Sequence, residues 1–68
     1  MTTFTAVVHK EENLYVAECP EVGTASQGET IEEAVNNLRE ATGLYLEEFP
    51  VKQTFRPFLT TFEVEAHA

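Results

Sequence analysis

The sequence predicts a single α+β domain with the element order β-β-β-α-β, in which one helix packs on one face of an antiparallel sheet. Three observations predict this class. Apolar and polar residues alternate in the first half of the chain, an amphipathic helical pattern follows, and alternation returns near the C-terminus. A chain of 68 residues that is 43% hydrophobic and 24% charged has the composition of one globular domain, which we assign to residues 1–68.

A hairpin is predicted at the start of the chain. Residues 3–9 alternate and are rich in β-branched types, and residues 10–13 suit a turn in which Asn13 tolerates left-handed backbone geometry. Residues 14–18 form the returning strand, which should end at Cys19-Pro20 because proline cannot donate to a ladder. One face of the first strand then carries Phe4, Ala6 and Val8.

A short third strand is predicted at residues 24–27, between two glycines. Gly23 marks the turn that precedes it, and Gly28 closes it. Because Gly28 lies two residues before a helix start, we expect it to take a positive φ that turns the strand into the helix.

Residues 30–48 carry the strongest local pattern, that of an amphipathic helix. Thr30 is a good N-cap, Glu33 three residues later completes a capping box, and Pro50 ends the helix. Gly43 indicates a close backbone approach, a shallow bend or simple tolerance of a glycine. The apolar stripe consists of Ile31, Ala34, Val35, Leu38, Ala41, Tyr45 and Phe49, widened by Leu44 and Leu46.

A fourth strand is predicted at Phe58 to Glu65, after a loop at residues 50–57 that carries Lys52 and Arg56. A single helix covers one sheet face only, so apolar residues such as Val7, Val16 and Leu59 remain for another subunit. We therefore expect a homo-oligomer, either a dimer or a tetramer.

The charge of the chain excludes several function classes. Twelve glutamates face two lysines and two arginines, and the net charge is −8, so a strong basic stripe for nucleic acid cannot be built. Residues 29–50 hold six glutamates and one arginine, which makes the helix the acidic element. No apolar run approaches 18 residues, no signal peptide is recognised, and a single cysteine favours a reducing cytoplasm.

The sequence predicts no catalytic or metal site and no cofactor. The chain lacks aspartate, and its glutamates lie mainly at solvent-facing positions, which disfavours a metal site for phosphodiester chemistry. His9 and His67 have no metal-ligand spacing, and we expect both to be solvated. Cys19 is expected to be a buried, inert thiol. We therefore predict that the protein is not an enzyme.

The glutamates of the helix have two interpretations. At the helix start, Glu29, Glu32 and Glu33 favour the macrodipole by about 0.3–1 kcal/mol each, which is a structural role. Glu47 and Glu48 near the C-terminus are mildly unfavourable to the helix, so they serve either solubility or the binding of a basic partner.

Several segments together resemble the HicB-like antitoxin family. They are ECPEVG at residues 18–23, ASQGETIEEA at 25–34, NLREA at 37–41, LYLE at 44–47 and LTTFEV at 59–64. The family's central signature is matched by Gln27, Gly28, Thr30, Glu33 and Ala34. The resemblance covers nearly the whole chain, although the turn at residues 21–24 is the shorter form found in a subgroup.

The resemblance implies a truncated ribonuclease-H-like or double-stranded-RNA-binding-like layer. It also implies an antitoxin that binds a small basic HicA-type toxin, an mRNA-cleaving ribonuclease, and masks its active site. Longer members carry a C-terminal DNA-binding segment, and this sequence ends at Ala68 without one, so we expect no direct DNA binding.

Charge complementarity with such a toxin assigns partner-binding residues to an acidic face. They are Glu18, Glu21, Glu29, Glu32, Glu40, Glu47 and Glu48. Two alternatives remain open, an orphan homo-oligomer of the same fold without a toxin and a weak nucleic-acid-binding module.

Overall fold

The computed structural model describes residues 2–50 and 58–66, and within them three strands precede one helix. The elements are β1 (Val7–Glu11), β2 (Leu14–Cys19), β3 (Thr24–Gly28) and α1 (Ile31–Glu48). The strands form an antiparallel sheet in the order β1-β2-β3, and α1 packs against one face of it. The predicted α+β class is therefore confirmed. The predicted loop, apart from Pro50, and His67 lie outside the described residues.

The first strand begins at Val7, four residues later than predicted. Val7 pairs with Glu18, so Ala6 falls level with Cys19, the last residue of β2, and the residues before Ala6 extend past the end of that strand. Because Pro20 has no N–H, β2 cannot continue beside them. Strand alternation is present in residues 3–6, but they have no ladder partner on β2. Phe4 and Val8, which the alternation places on one face with Ala6, both pack against the core, whereas Ala6 is exposed.

The hairpin turn differs from the prediction in the residue that adopts left-handed geometry. The turn consists of Glu12 and Asn13 alone, because β1 extends to Glu11 and β2 begins at Leu14. Glu12 has a φ of 53°, and Asn13 does not have a positive φ. Both favoured two-residue hairpin turns require a positive φ at their first position, so position in the turn outweighs residue preference here.

The helix lies along β3 and runs in the opposite direction to it. Asn37 donates from Nδ2 to the carbonyl oxygen of Gln27 at 2.8 Å. Further along both elements, the hydroxyls of Thr24 and Thr42 are 2.7 Å apart. The two elements are therefore antiparallel. These two side-chain hydrogen bonds hold the helix over the β3 side of the sheet.

Gly28 has the predicted structural importance but not the predicted conformation. Its φ is not positive, whereas Gly23 has a φ of +84°, which confirms the turn predicted there. A Cβ at Gly28 would lie 2.6 Å from the backbone nitrogen of Ala34. Glycine is required at position 28 because the first turn of α1 touches β3, and not because the chain reverses there. Gly43 has no atom within 4 Å of such a Cβ and is simply tolerated.

The core is narrower than the predicted helical stripe. Its buried residues include Ala17 and Cys19 from β2 and Ala34 and Leu38 from α1, and Thr42 is buried beside them. The spacing from Ala34 through Leu38 to Thr42 follows a single line on the helix. Part of the predicted stripe lies outside this line, and the exposed members are Ile31, Leu44, Tyr45 and Phe49.

The predicted fourth strand is not formed within the described chain. Residues 58–66 adopt neither helix nor strand, and every one of them is exposed. The alternation of Phe58, Phe62 and Val64 with polar residues favours an extended conformation, but a strand also needs a hydrogen-bonding neighbour. The described part of this chain provides none for the segment.

Candidate functional site

The start of α1 carries the predicted capping motif. The Thr30 hydroxyl accepts from the backbone N–H of Glu33 at 3.0 Å, and Thr30 has the extended backbone of an N-cap. The Glu33 carboxylate accepts from the N–H of Glu29 at 3.1 Å, one residue before the cap. Ala34 is fully buried against Gly28. These motif residues therefore join the strand to the helix, which is a structural role.

Glu21 was predicted to bind a partner, but the structure uses it inside the fold. Its carboxylate accepts from the Thr5 N–H at 2.9 Å and from the Thr5 hydroxyl at 2.7 Å. Burial raises the pKa of the Glu21 carboxyl, and the hydrogen bonds from Thr5 outweigh it, so the pKa lies below its ordinary value. The Glu21 side chain thus takes the place of a strand neighbour for residues that extend past β2.

The single thiol is buried, as predicted. Cys19 is 2% exposed, and its Sγ donates to Oε1 of Glu21 at 3.3 Å. Burial raises the pKa of this thiol, which keeps it protonated and unreactive at neutral pH. His9 is exposed, with Nε2 2.9 Å from Oε2 of Glu11 and Nδ1 3.9 Å from Oε1 of Glu18.

The solvent side of α1 carries a row of glutamates, here called the acidic helix face and defined by Glu33, Glu40 and Glu47. These residues follow one another at intervals of seven, two helical turns, so they project from the same side. Glu32 flanks the row, and all four are exposed. Arg39 is exposed too, and its Nη1 donates to Oδ1 of Asn36 at 2.8 Å. The last turn of α1 contains no basic residue.

An apolar patch lies beside this face at the C-terminal end of α1, formed by Leu44, Tyr45 and Phe49. Leu44 is 60% exposed and Phe49 is 57% exposed, and the Tyr45 and Phe49 rings stack with centroids 5.0 Å apart. Glu47 and Glu48 line the same surface depression as these three residues. Large apolar side chains surrounded by charged ones are typical of a protein-binding surface.

The structure does not bring all the predicted partner-binding residues together. Glu18 lies on the sheet face opposite α1, because its neighbours in the strand, Ala17 and Cys19, point into the core. The Glu21 carboxylate accepts hydrogen bonds from Thr5 within the fold. The remaining members lie along or just before the helix, namely Glu29, Glu32, Glu40, Glu47 and Glu48. Only this helical subset can contact one partner surface.

The sequence analysis included the residues of the apolar patch in the apolar stripe of the helix, and did not identify them as a separate exposed surface. A stripe formed by Ile31 to Phe49 spans more of the helix circumference than a small sheet covers, and that width was the available signal. Residues 2–50 and 58–66 contain no group of three or more His, Cys or Glu side chains placed to hold a metal ion.

The described part of the chain has no helix that is both long enough and apolar enough to cross a membrane. All twelve glutamates lie in this part, and its cationic side chains are Lys10 and Arg39. Lys10 lies over the ring of Tyr15, with Nζ 5.9 Å from the centroid. The described surface is therefore strongly negative.

Comparison with known proteins gives two relatives that share a name. A UPF0150 protein of Synechocystis sp. is 36% identical over 52 residues, which are 75% of this chain and 75% of the relative. A UPF0150 protein of Helicobacter pylori is 50% identical over 42 residues, 60% of this chain and 58% of the relative. No protein-family model matches the chain, and no solved structure does so significantly. The match over three quarters of the Synechocystis protein shows that this chain belongs to the UPF0150 family.

Proposed function

We propose that the chain is an antitoxin-like interaction module that binds and neutralises a small basic HicA-type mRNA-cleaving toxin. The observation that carries the proposal is the surface at the end of α1, where the exposed side chains of Leu44, Tyr45 and Phe49 line the same depression as Glu47 and Glu48. The resemblance of the sequence to HicB-like antitoxins supports the choice of partner.

The proposed mechanism is occlusion by complementary charge. A ribonuclease that holds RNA phosphates presents cationic side chains. A row of carboxylates on a rigid helix binds these side chains in place of the RNA phosphates. Within this row Glu33 also caps the helix, and Glu40 and Glu47, about 10 Å apart along α1, are the members offered to the partner. The acidic helix face then sets the encounter rate and orientation, while burial of Tyr45 and Phe49 supplies the lasting affinity.

Surface plasmon resonance with a purified, catalytically inactive HicA-type toxin from the same genome tests the proposal, because it measures both rates and the dissociation constant. We expect binding that weakens as salt is raised. Reversing the charge at Glu40, Glu47 and Glu48 should weaken binding at least about tenfold, mainly through the association rate. The replacements Tyr45→Ala and Phe49→Ala should weaken it similarly through faster dissociation.

A matched control changes the same amount of charge on the other side of the molecule. Glu11, Glu12 and Glu18 lie in the hairpin and on the sheet face opposite α1, so their replacement by lysine preserves the helix surface. Equal loss of affinity in the two triple variants would show that only net charge matters, which contradicts a helix-specific surface. Absence of any binding to the toxin would overturn the proposed function.

Direct binding of nucleic acid is the alternative that the charge disfavours. With a net charge of −8, the chain should show negligible affinity for RNA or DNA at physiological salt. Fluorescence anisotropy with a labelled single-stranded RNA and a DNA duplex measures this directly. Tight binding at physiological salt would reverse the order of the two functions.

A further inference from the structure

We propose that two copies of the chain exchange their C-terminal segments, residues 58–66, so that each segment adds a strand beside β1 of the other copy. The exchanged segment would place Phe58 and Phe62 in an apolar groove of its partner. This inference concerns self-association and stands independently of the proposed toxin.

The segment has the properties of a strand without a neighbour. Phe58 is 90% exposed, Phe62 is 85% exposed and Val64 is 73% exposed, and all three fall on one face of an extended chain. The opposite face carries Leu59, Thr61, Glu63 and Glu65. An extended segment with one mainly apolar face and one mainly polar face is typical of a strand that covers a core, and a monomer rarely exposes such an apolar strip.

The body of the molecule has a groove of matching character. The groove has a volume of about 340 Å³ and lies between the N-terminal residues 2–6 and α1. Its apolar lining includes Phe4, Val35, Leu38 and Leu46, and no β3 residue contributes to it. Residues 2–6 lead directly into β1, so the groove adjoins the start of that strand and lies between the segment that precedes it and the helix.

The sheet edge beside this groove is open. β1 is the first strand of the order β1-β2-β3, so within the described residues its outer N–H and C=O groups have no strand partner. A strand added at this edge would hydrogen-bond to the outer N–H and C=O groups of β1. Every second side chain of the added strand would then point towards α1. Arg39 also lines the groove, which gives the acidic segment a cationic neighbour.

The occupant is a second copy because each chain supplies one segment and one groove. Every residue of segment 58–66 is exposed on its own chain, and the radius of gyration is 14.0 Å. A compact domain of this length has a radius of about 11 Å. Mutual exchange of an identical element closes into a symmetric dimer and leaves neither segment nor groove unfilled.

Sedimentation equilibrium of the full chain, from low to high micromolar concentration, tests the stoichiometry. We expect a dimer whose dissociation constant rises at least about tenfold with Phe62→Ala, since an aromatic anchor is lost. Leu59→Ala removes an exposed apolar side chain from the other face of the segment and should change it far less. A monomer throughout, or a dimer unaffected by Phe62→Ala, would overturn the proposal.

An isotope-filtered NOE experiment on a mixed sample of labelled and unlabelled chains shows which copy the segment contacts. We expect contacts from the Phe62 ring of one copy to the Val35 and Leu46 methyl groups of the other. Contacts that occur only within a single chain would show that the segment folds back on its own groove, and would contradict exchange.

Discussion

The two ends of α1 differ in how their side chains are used. At the N-terminal end, Thr30 and Glu33 satisfy backbone N–H groups and Gly28 admits Ala34 to close contact. At the C-terminal end, apolar side chains are exposed and glutamates occupy the last turn, where the macrodipole disfavours them. Both ends belong to the same amphipathic helix.

This difference separates residues that serve folding from residues that the fold does not explain. At the N-terminal end of α1, the residues present satisfy local propensity, tertiary packing and electrostatics together, as expected where a sequence specifies a structure. The side chains of Leu44 and Phe49 remain more than half exposed within the described chain. Positions that conflict with stability in this way are the best candidates for function.

Replacement of Gly28 by alanine should have the largest effect of any single methyl addition. The new Cβ would meet backbone atoms of Ala34 and Glu33, which cannot move without shifting the helix. We expect a loss of about 3 kcal/mol in the free energy of unfolding, measured by denaturant titration at fixed protein concentration.

Gly43→Ala is the matched control for this substitution. No atom lies within 4 Å of a Cβ at Gly43, so alanine there should stabilise the helix by about 0.5–1 kcal/mol. If the two substitutions changed the free energy of unfolding equally, the close contact between Gly28 and the first turn of α1 would not be what requires glycine at position 28.

The next effect concerns Glu21, an acidic side chain used inside the fold. Glu21→Gln should cost about 1–2 kcal/mol near neutral pH, because the charged hydrogen bonds from Thr5 are weakened. The folded-state pKa of Glu21 is lowered, so its contribution is complete above the ordinary value of 4.5 and is lost as the pH falls through the lowered pKa.

Denaturant midpoints of the parent chain and Glu21→Gln, compared between neutral and acidic pH, measure this dependence. The difference between the two proteins should be constant near neutrality and shrink below about pH 4.5. The other glutamates are common to both proteins, so their contribution cancels in the comparison. A difference that does not shrink on acidification would assign the role of Glu21 to packing.

Removal of the helix cap has an intermediate effect. Thr30→Ala leaves the N–H of Glu33 without its side-chain acceptor and should cost about 1 kcal/mol in the free energy of unfolding. Thr30→Ser keeps the hydroxyl and is the control, with little change expected. Loss of stability in the serine variant would point to the threonine methyl group and not to the cap.

Local signals were sufficient to predict the fold class and most element boundaries. The capping box of Thr30 and Glu33, the stop at Cys19-Pro20 and the turn at Gly23 depend on neighbours in sequence, and all three were confirmed. The fourth strand was not formed because a strand also depends on a partner, which alternation cannot supply.

The candidate site was harder to predict because its definition is tertiary. An apolar residue at helical spacing has the same sequence signal whether a sheet covers it or not, so Phe49 was included in the apolar stripe although more than half of it is exposed. Thr42 shows the converse, since a polar residue became buried once Thr24 was placed opposite it. Glu21 and Glu18 shared a charge but ended in different environments.

The smallest expected effect compares one glutamate from each end of α1. Glu48→Gln removes an unfavourable charge near the helix C-terminus and should stabilise the fold by about 0.3 kcal/mol, whereas Glu32→Gln in the first turn should destabilise it by a similar amount. Denaturant titration at low salt measures both changes. If the helix macrodipole determines how these charges affect stability, the two substitutions must change the free energy of unfolding in opposite directions.

Binding to the toxin then gives Glu48→Gln its diagnostic value. If Glu48 is retained for a partner, the substitution that stabilises the fold must also weaken the complex, since it removes charge beside the Tyr45 and Phe49 rings. Calorimetry on the same variant measures that second change. A variant that gains stability and binds the toxin as tightly as the parent would show that the acid at this end of the helix contributes nothing to recognition, and would confine the binding surface to its apolar side chains.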